Sequence, residues 1–149
     1  MTVTFREARA RDLPAIVTML ADDDLGRGRE DATDLAHYSL VFGQIEGDVR
    51  NSIVVAEQDG AVVGCFQITF ITGLSRRGAT RAQVEGVRVA ASARGQGIGE
   101  AMMHHAIELA RRRGCALVQL TSDKSRTRAH DFYARLGFKT SHEGFKLDL

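Results

Sequence analysis

Apolar and polar positions alternate from Val3 to Ala8 as in a short strand. Leu13, Ile16 and Leu20 then recur at the spacing that lines one side of a helix, with Asp12 ahead of them as an acidic N-cap. The stretch from Ala21 to Asp34, rich in Asp, Gly and Arg, reads as a loop. After it Leu35, Tyr38, Phe42 and Ile45 return to helical spacing. Two β-branched or apolar runs, Ile53 to Glu57 and Ala61 to Ile71, flank Gln58-Asp59-Gly60, and Asp-Gly between such runs is a strong hairpin signal, so these strands are antiparallel. A connection from Thr72 to Thr80 leads into a further strand, Arg81 to Val89. Ile98, Met102, Ile107 and Ala110 place an apolar stripe on a helix that closes with Arg111-Arg112-Arg113 and Gly114, basic residues and a glycine where the helix dipole and C-cap favour them. Ala116 to Leu120 reads as a short buried strand, Arg128 to Leu136 as an amphipathic helix stopped by Gly137, and Phe138 to Leu147 as one or two last strands. This order predicts an α/β (α+β) fold: a mixed, mostly antiparallel central sheet of about six to seven strands flanked by about four helices.

Composition narrows the functional classes. A chain of 149 residues with 44% hydrophobic and 26% charged residues is long enough for one continuous core and far from disordered mixtures. One proline, no repeat and no low-complexity tract leave no place to divide it, so residues 1–149 read as a single domain. A formal net charge of +1 supplies no field for nucleic acid or a membrane surface, which favours a small-molecule partner. The start, Met1-Thr2-Val3-Thr4-Phe5-Arg6, has no basic segment before an apolar run, and no window approaches the roughly 18 apolar residues of a membrane span. Cys65 and Cys115 form no C-x-x-C pair and sit in strand-like runs, where core packing suits them better than nucleophilic or redox work. A reduced cytoplasmic setting is expected. His37, His104, His105, His130 and His142 show no ligand spacing, and no metal site is expected.

The segment Arg94-Gly95-Gln96-Gly97-Ile98-Gly99 joins a strand to a helix. Glycines let the backbone approach a ligand and take positive φ, unpaired amides at the helix start point outward, and the dipole favours negative charge. A diphosphate is the natural guest, with Arg94 as an added cation. The segment reads G-x-G-x-G rather than the dinucleotide fingerprint G-x-G-x-x-G, and no lysine follows Gly99 as a P-loop requires.

Val87 and Val89 followed by this turn resemble the acetyl-CoA motif of the GCN5-related N-acetyltransferases, Gln/Arg-x-x-Gly-x-Gly/Ala, matched by Arg94, Gly97 and Gly99. Ala129, Phe132, Tyr133, Gly137 and Phe138 resemble the same family's late helix and the strand after it. The resemblance implies acetyl-CoA as co-substrate. Val87 and Val89 would pair with the pantetheine arm through main-chain groups, and the amides from Gly95 through Gln96, Gly97 and Ile98 to Gly99 would hold the diphosphate. Where many relatives carry an asparagine, this chain has Arg126, which implies a charge contact to the cofactor instead.

Acyl transfer to an amine needs a base, an oxyanion donor and an acid for the leaving thiolate. The resemblance implies two central strands splayed at a bulge around the thioester; Gly86 is the kind of residue that marks such a bulge, and Glu85 beside it is the candidate base, acting directly or through water. Tyr133 resembles the family tyrosine that protonates the coenzyme A sulfur, and the Val89 amide is implied as the oxyanion donor. The expected activity is transfer of an acetyl group from acetyl-CoA to a primary amine of a small molecule or protein. The alternative is a non-catalytic acyl-CoA-binding regulatory or interaction module. Acceptor cues conflict: Asp22, Asp23, Asp24, Glu30 and Asp31 suit a cationic amine, whereas Arg76 and Arg77 suit a carboxylate or phosphate. Exposed strand edges near the C-terminus are compatible with a homodimer.

Overall fold

The Asp-Gly pair makes the tight turn its chemistry requires. Asp59 and Gly60 have φ of 52° and 78°, the doubly positive combination of a type I′ hairpin. The turn joins β2 (Asn51–Gln58) to β3 (Ala61–Thr72), with Gln58 paired to Ala61. The computed structural model describes residues 2–149 and comprises two compact units, the first ending at Gln119 and the second being Leu120–Leu149.

In the first unit, β1 (Thr4–Glu7), β2, β3, β4 (Thr80–Val89) and β5 (Leu117–Gln119) form one sheet in chain order. The first three pairings are antiparallel, and β5 runs parallel to β4. The sheet is mixed and mostly antiparallel as expected, but it has five strands among the described residues rather than six to seven. Helices α1 (Leu13–Ala21) and α3 (Leu35–Glu46) pack on one face, and α5 (Ile98–Arg112) on the other. Strand alternation sorts the core between these layers. Val55 and Cys65 join Leu13, Ile16, Met19 and Phe42 on the α1 face. On the opposite face Phe66 and Ile68 lie fully buried, as do Met102 and Met103 of α5.

Three local expectations change. The loop from Ala21 to Asp34 contains one helical turn, α2 (Gly26–Arg29), entered where the Asp23 carboxylate accepts the Gly26 amide. The connection after β3 contains α4 (Ser75–Gly78), in which Arg76 and Arg77 are left-handed at φ 55° and 62°. Asp12 has helical backbone angles and makes no side-chain cap on α1, because it closes a 3₁₀ turn over Ala10–Asp12. Its carboxylate instead accepts the Arg9 amide at 2.7 Å and both terminal nitrogens of Arg6 at 2.7 and 3.0 Å.

The second unit contains α6 (Thr127–Arg135), which Gly137 ends in a positive-φ conformation. Tyr133 stands between Phe132 and Phe138, edge-on to both, with ring centroids 5.1 and 5.9 Å away. Residues 138–149 form no strand, contrary to the expectation for Phe138 to Leu147. Their alternation suits a strand, but a strand needs a neighbour to satisfy its backbone, and this segment pairs with none.

Candidate active site

The centre of interest is a bulge. Cys65 pairs with Arg88 and Gln67 with Glu85, so Gly86 and Val87 together oppose the single residue Phe66. Gly86 makes this possible at φ 62°, a left-handed conformation that other residues adopt with strain. Beyond the bulge the sheet opens: β5 pairs with β4 only from Arg81 to Gln83, and the same edge of β4 from Val84 to Val89 has no strand partner among the described residues.

The ladder also shows which main-chain groups face that opening. Ala90 donates its amide to the Val63 carbonyl at 2.8 Å, so the preceding pair, Val89 with Gly64, is of the non-hydrogen-bonded kind. The N–H and C=O of Val89 therefore point away from β3, toward the open edge. Val87 offers a carbonyl partly engaged by the Arg88 guanidinium at 3.0 Å. Glu85 is exposed, on the α1 face of the sheet, and its carboxylate forms no hydrogen bond or ion pair among the described residues.

The chain then passes a 3₁₀ turn (Ala91–Ala93) and reaches the glycine turn. Gly95 and Gly97 have φ of 80° and 79°, and a Cβ on either would meet no atom within 4 Å. The space over the turn is open, and it is the backbone shape that demands glycine. Gly97 is the N-cap of α5 without side-chain capping, and the first bond into the helix, Ala101 to Gly97, leaves the amides from Gly97 to Glu100 without intrahelical partners. Ile98 and Gly99 are among these main-chain donors, and Gln96 immediately precedes them. A free strand edge leading to unpaired amides at a helix start fits an extended thiol arm ending in a diphosphate.

Arg94 does not stand free beside the turn: its guanidinium lies 3.5 Å from the Asp22 carboxylate. The next acidic residue does the same for β4. Arg88 Nε faces Asp23 Oδ2 at 3.1 Å, with the side chains 15% and 23% exposed; the two atoms lack the alignment of a good hydrogen bond, so the contact is chiefly Coulombic. Asp24 pairs with Arg27, Glu30 accepts the Tyr38 hydroxyl, and Asp31 is engaged by Thr33. The acidic loop read as a possible amine attractor is thus tied up internally. Asp22 and Asp23 fasten it to the strand and turn that would hold the cofactor.

A polar row on the α1 face of the sheet escaped the sequence reading. Asn51, Thr69, Gln83 and Gln119 are successive cross-strand neighbours on β2, β3, β4 and β5. Gln119 donates to Gln83 at 3.0 Å, and Gln67, beside Glu85, donates to Asn51 at 2.9 Å. These half-buried amides keep further donors and acceptors for a ligand. Gln67, Thr69, Gln83 and Glu85 recur at every second position, the period that betrays one face of a sheet.

Cys65 is buried, and burial pushes its thiol up to about 12, which excludes a thiolate nucleophile. Cys115 is only half-buried, against expectation, because it precedes an edge strand. Among the described residues no group of His, Cys, Asp and Glu has the arrangement of a metal site, and no helix is long and apolar enough to cross a membrane. Two cavities of about 330 and 300 Å³ lie elsewhere, lined by residues such as His105 and Leu109 or Phe42 and Ile45. Tyr133 and Arg126 belong to the second unit, where Arg126 is the N-cap of α6 and makes no side-chain cap.

Comparison with known proteins agrees with this geometry. The model of the Acetyltransferase (GNAT) family matches residues 13–138, and the chain belongs to that family. It is 32% identical over 90 residues to a glucosamine 6-phosphate N-acetyltransferase of Trypanosoma brucei brucei, a match spanning 60% of this chain and 59% of that protein. It is 34% identical over 92 residues to an uncharacterized N-acetyltransferase of Methanocaldococcus jannaschii, spanning 60% of this chain and 40% of the relative. The chain thus spans about half the length of these curated relatives. Among solved structures, one described as a transcriptional regulator from Bacillus halodurans C-125 has a TM-score of 0.95 and 47% identity, covering 99% of this chain and 100% of its own.

Proposed function

We propose that this protein transfers the acetyl group of acetyl-CoA to a primary amine of a small molecule or protein, with no metal. The observation that carries this reading is the bulged, open edge of β4 running into the unpaired amides at the start of α5. Acetyl-CoA supplies an activated thioester carbonyl. The Val87 and Val89 main-chain groups align the pantetheine arm, while the amides from Gly95 to Gly99, with Arg94 and Arg126, receive the phosphates. Glu85 takes the proton of the incoming amine, directly or through water, a role worth about 10² to 10⁴ in rate. The Val89 N–H stabilises the oxyanion, and Tyr133 returns a proton to the departing sulfur, as a phenol protonated at neutral pH can. The row Asn51, Thr69, Gln83 and Gln119 favours an acceptor carrying hydroxyl or amide groups, with the unpaired Glu85 carboxylate beside the row to meet its amine.

The reading is tested by titrating the protein calorimetrically with acetyl-CoA, NAD and ATP at fixed salt, then following thiol release with an amine panel. Selective acetyl-CoA binding that Gly97→Asp abolishes is expected. Glu85→Gln and Tyr133→Phe should each slow turnover while leaving acetyl-CoA affinity within about twofold. Loss of cofactor binding in both variants would remove the assigned roles. A second reading, a regulatory module that binds acyl-CoA without turnover, draws on the description of the Bacillus halodurans relative as a transcriptional regulator. It predicts binding with no thiol released by any amine.

A further inference from the structure

The polar row beside Glu85 is flanked by a cation without a carboxylate among the described residues. Arg81, Gln83 and Glu85 stand at every second position of β4, so their side chains share the α1 face of the sheet. Gln119 ties the first two together: its amide donates to Gln83 at 3.0 Å, and its carbonyl oxygen accepts from the Arg81 guanidinium at a long 3.5 Å. Arg81 is half-buried and forms no ion pair among the described residues. Arg6 and Arg88 of the same sheet are also half-buried, and each faces a carboxylate. The contact with Gln119 leaves Arg81 with most of the five donors of a guanidinium unused.

The approach to Arg81 carries the same sign. From Gly60 to Val84 the chain contains no acidic residue, but it contains Arg76, Arg77 and Arg81. Arg76 and Arg77, exposed in the connection into β4, hold φ of 55° and 62°. Side chains other than glycine adopt that region with strain, and strain of this kind gathers where a loop serves a ligand. Neither arginine forms an ion pair among the described residues.

We propose that the acceptor of this protein carries an anionic group, a carboxylate or a phosphate, which Arg81 binds while Glu85 receives the amine and the glutamines between them take hydroxyl or amide groups. Only the amine end of this assignment rests on the acetyl-transfer reading. Strand rise sets the Cα atoms of Arg81 and Glu85 about 13 Å apart, and both side chains reach into that interval. The anion and the amine of the acceptor are therefore several bonds apart, and α-amino acids, whose two charges flank a single carbon, are too short to bridge them. A guanidinium gives two parallel hydrogen bonds to a carboxylate or phosphate, and partial shielding from water strengthens them. Arg76 and Arg77 attract the same group from solution.

The test uses the full chain and three probes of one length: 5-aminopentanol, 5-aminopentanoate and 5-aminopentyl phosphate. Titrated calorimetrically into protein saturated with coenzyme A, at least one of the two anions is expected to bind about 10- to 100-fold tighter than the alcohol. Which anion does so separates carboxylate from phosphate recognition. Arg81→Gln should erase that ratio. Arg81→Lys, which keeps the charge but not the paired donors, should retain part of it. In thiol release from acetyl-CoA the same preference should appear in kcat/KM, with the loss in Arg81→Gln falling on KM. A wild type that prefers neither anion, or a preference that survives Arg81→Gln, overturns the proposal. Anion binding that depends on Arg81 without any thiol release keeps the anion site and removes acetyl transfer; thiol release with no preference for an anion does the reverse.

Discussion

Asp12 is the one buried charged residue among those described, and its pairing with Arg6 makes a definite statement about pH. The hydrogen bonds from Arg6 hold its carboxyl below the usual range, against the opposing effect of burial. A carboxyl lowered in the folded state contributes stability above its unfolded pKa and loses it as pH falls through the folded value. Asp12→Asn should therefore cost about 2 kcal/mol at pH 7 in urea unfolding, and the gap to wild type should narrow below about pH 4. A constant gap down to pH 3 would mean that shape, not charge, is what Asp12 contributes. Cys65 offers a second check. With its thiol pushed up to about 12 inside the core, it should resist iodoacetamide at pH 8 in the native protein and react on unfolding, whereas half-buried Cys115 labels first. Peptide mass mapping reads the order. Gly86, Gly95 and Gly97 were legible in the sequence because each answers a local demand of the backbone, a positive φ. The partners of Arg94 and Arg88 were not, since Asp22 and Asp23 reach them only when α1 is laid on the sheet.

Among elements, β4 is the one whose shape matters most. Gly86→Ala places its Cβ 3.7 Å from Leu20, an ordinary contact, so its cost comes from the left-handed backbone, about 1–2 kcal/mol. Thermal unfolding should show that loss, and acetyl-CoA affinity should fall with it as the bulge relaxes. Unchanged affinity in Gly86→Ala would separate the bulge from the cofactor. The hairpin of β2 and β3, the stripe of α5 and the end of α6 follow from periodicity and turn residues, signals that lie within a few positions of one another. The single turns α2 and α4 did not show, because four-residue helical turns leave too short a pattern to recognise. The run around β5 reads as buried, yet the strand is an edge; which strand stands beside another is a long-range decision.

At the scale of the molecule, the loop between α1 and α2 is fastened to β4 by Asp23 and Arg88, residues that no local pattern connects. A double-mutant cycle with Asp23→Asn and Arg88→Gln should give a coupling of about 0.5–3 kcal/mol, and additive losses would show that the contact carries no energy of its own. By itself the sequence determined β1 to β5 and the longer helices, the hairpin, the bulge glycine, the positive-φ glycine turn before α5 and the family these residues resemble. All are encoded in side-chain period, positive-φ glycines and caps, which act over a turn or two of chain. Tertiary structure alone decided that the acidic loop is neutralised by Arg88 and Arg94, that polar side chains from β2, β3, β4 and β5 align into one row beside Glu85, and that β5 ends its sheet. The reason is physical: charge pairing, cross-strand register and burial depend on which distant segments meet, and that is set by the packing of the whole sheet.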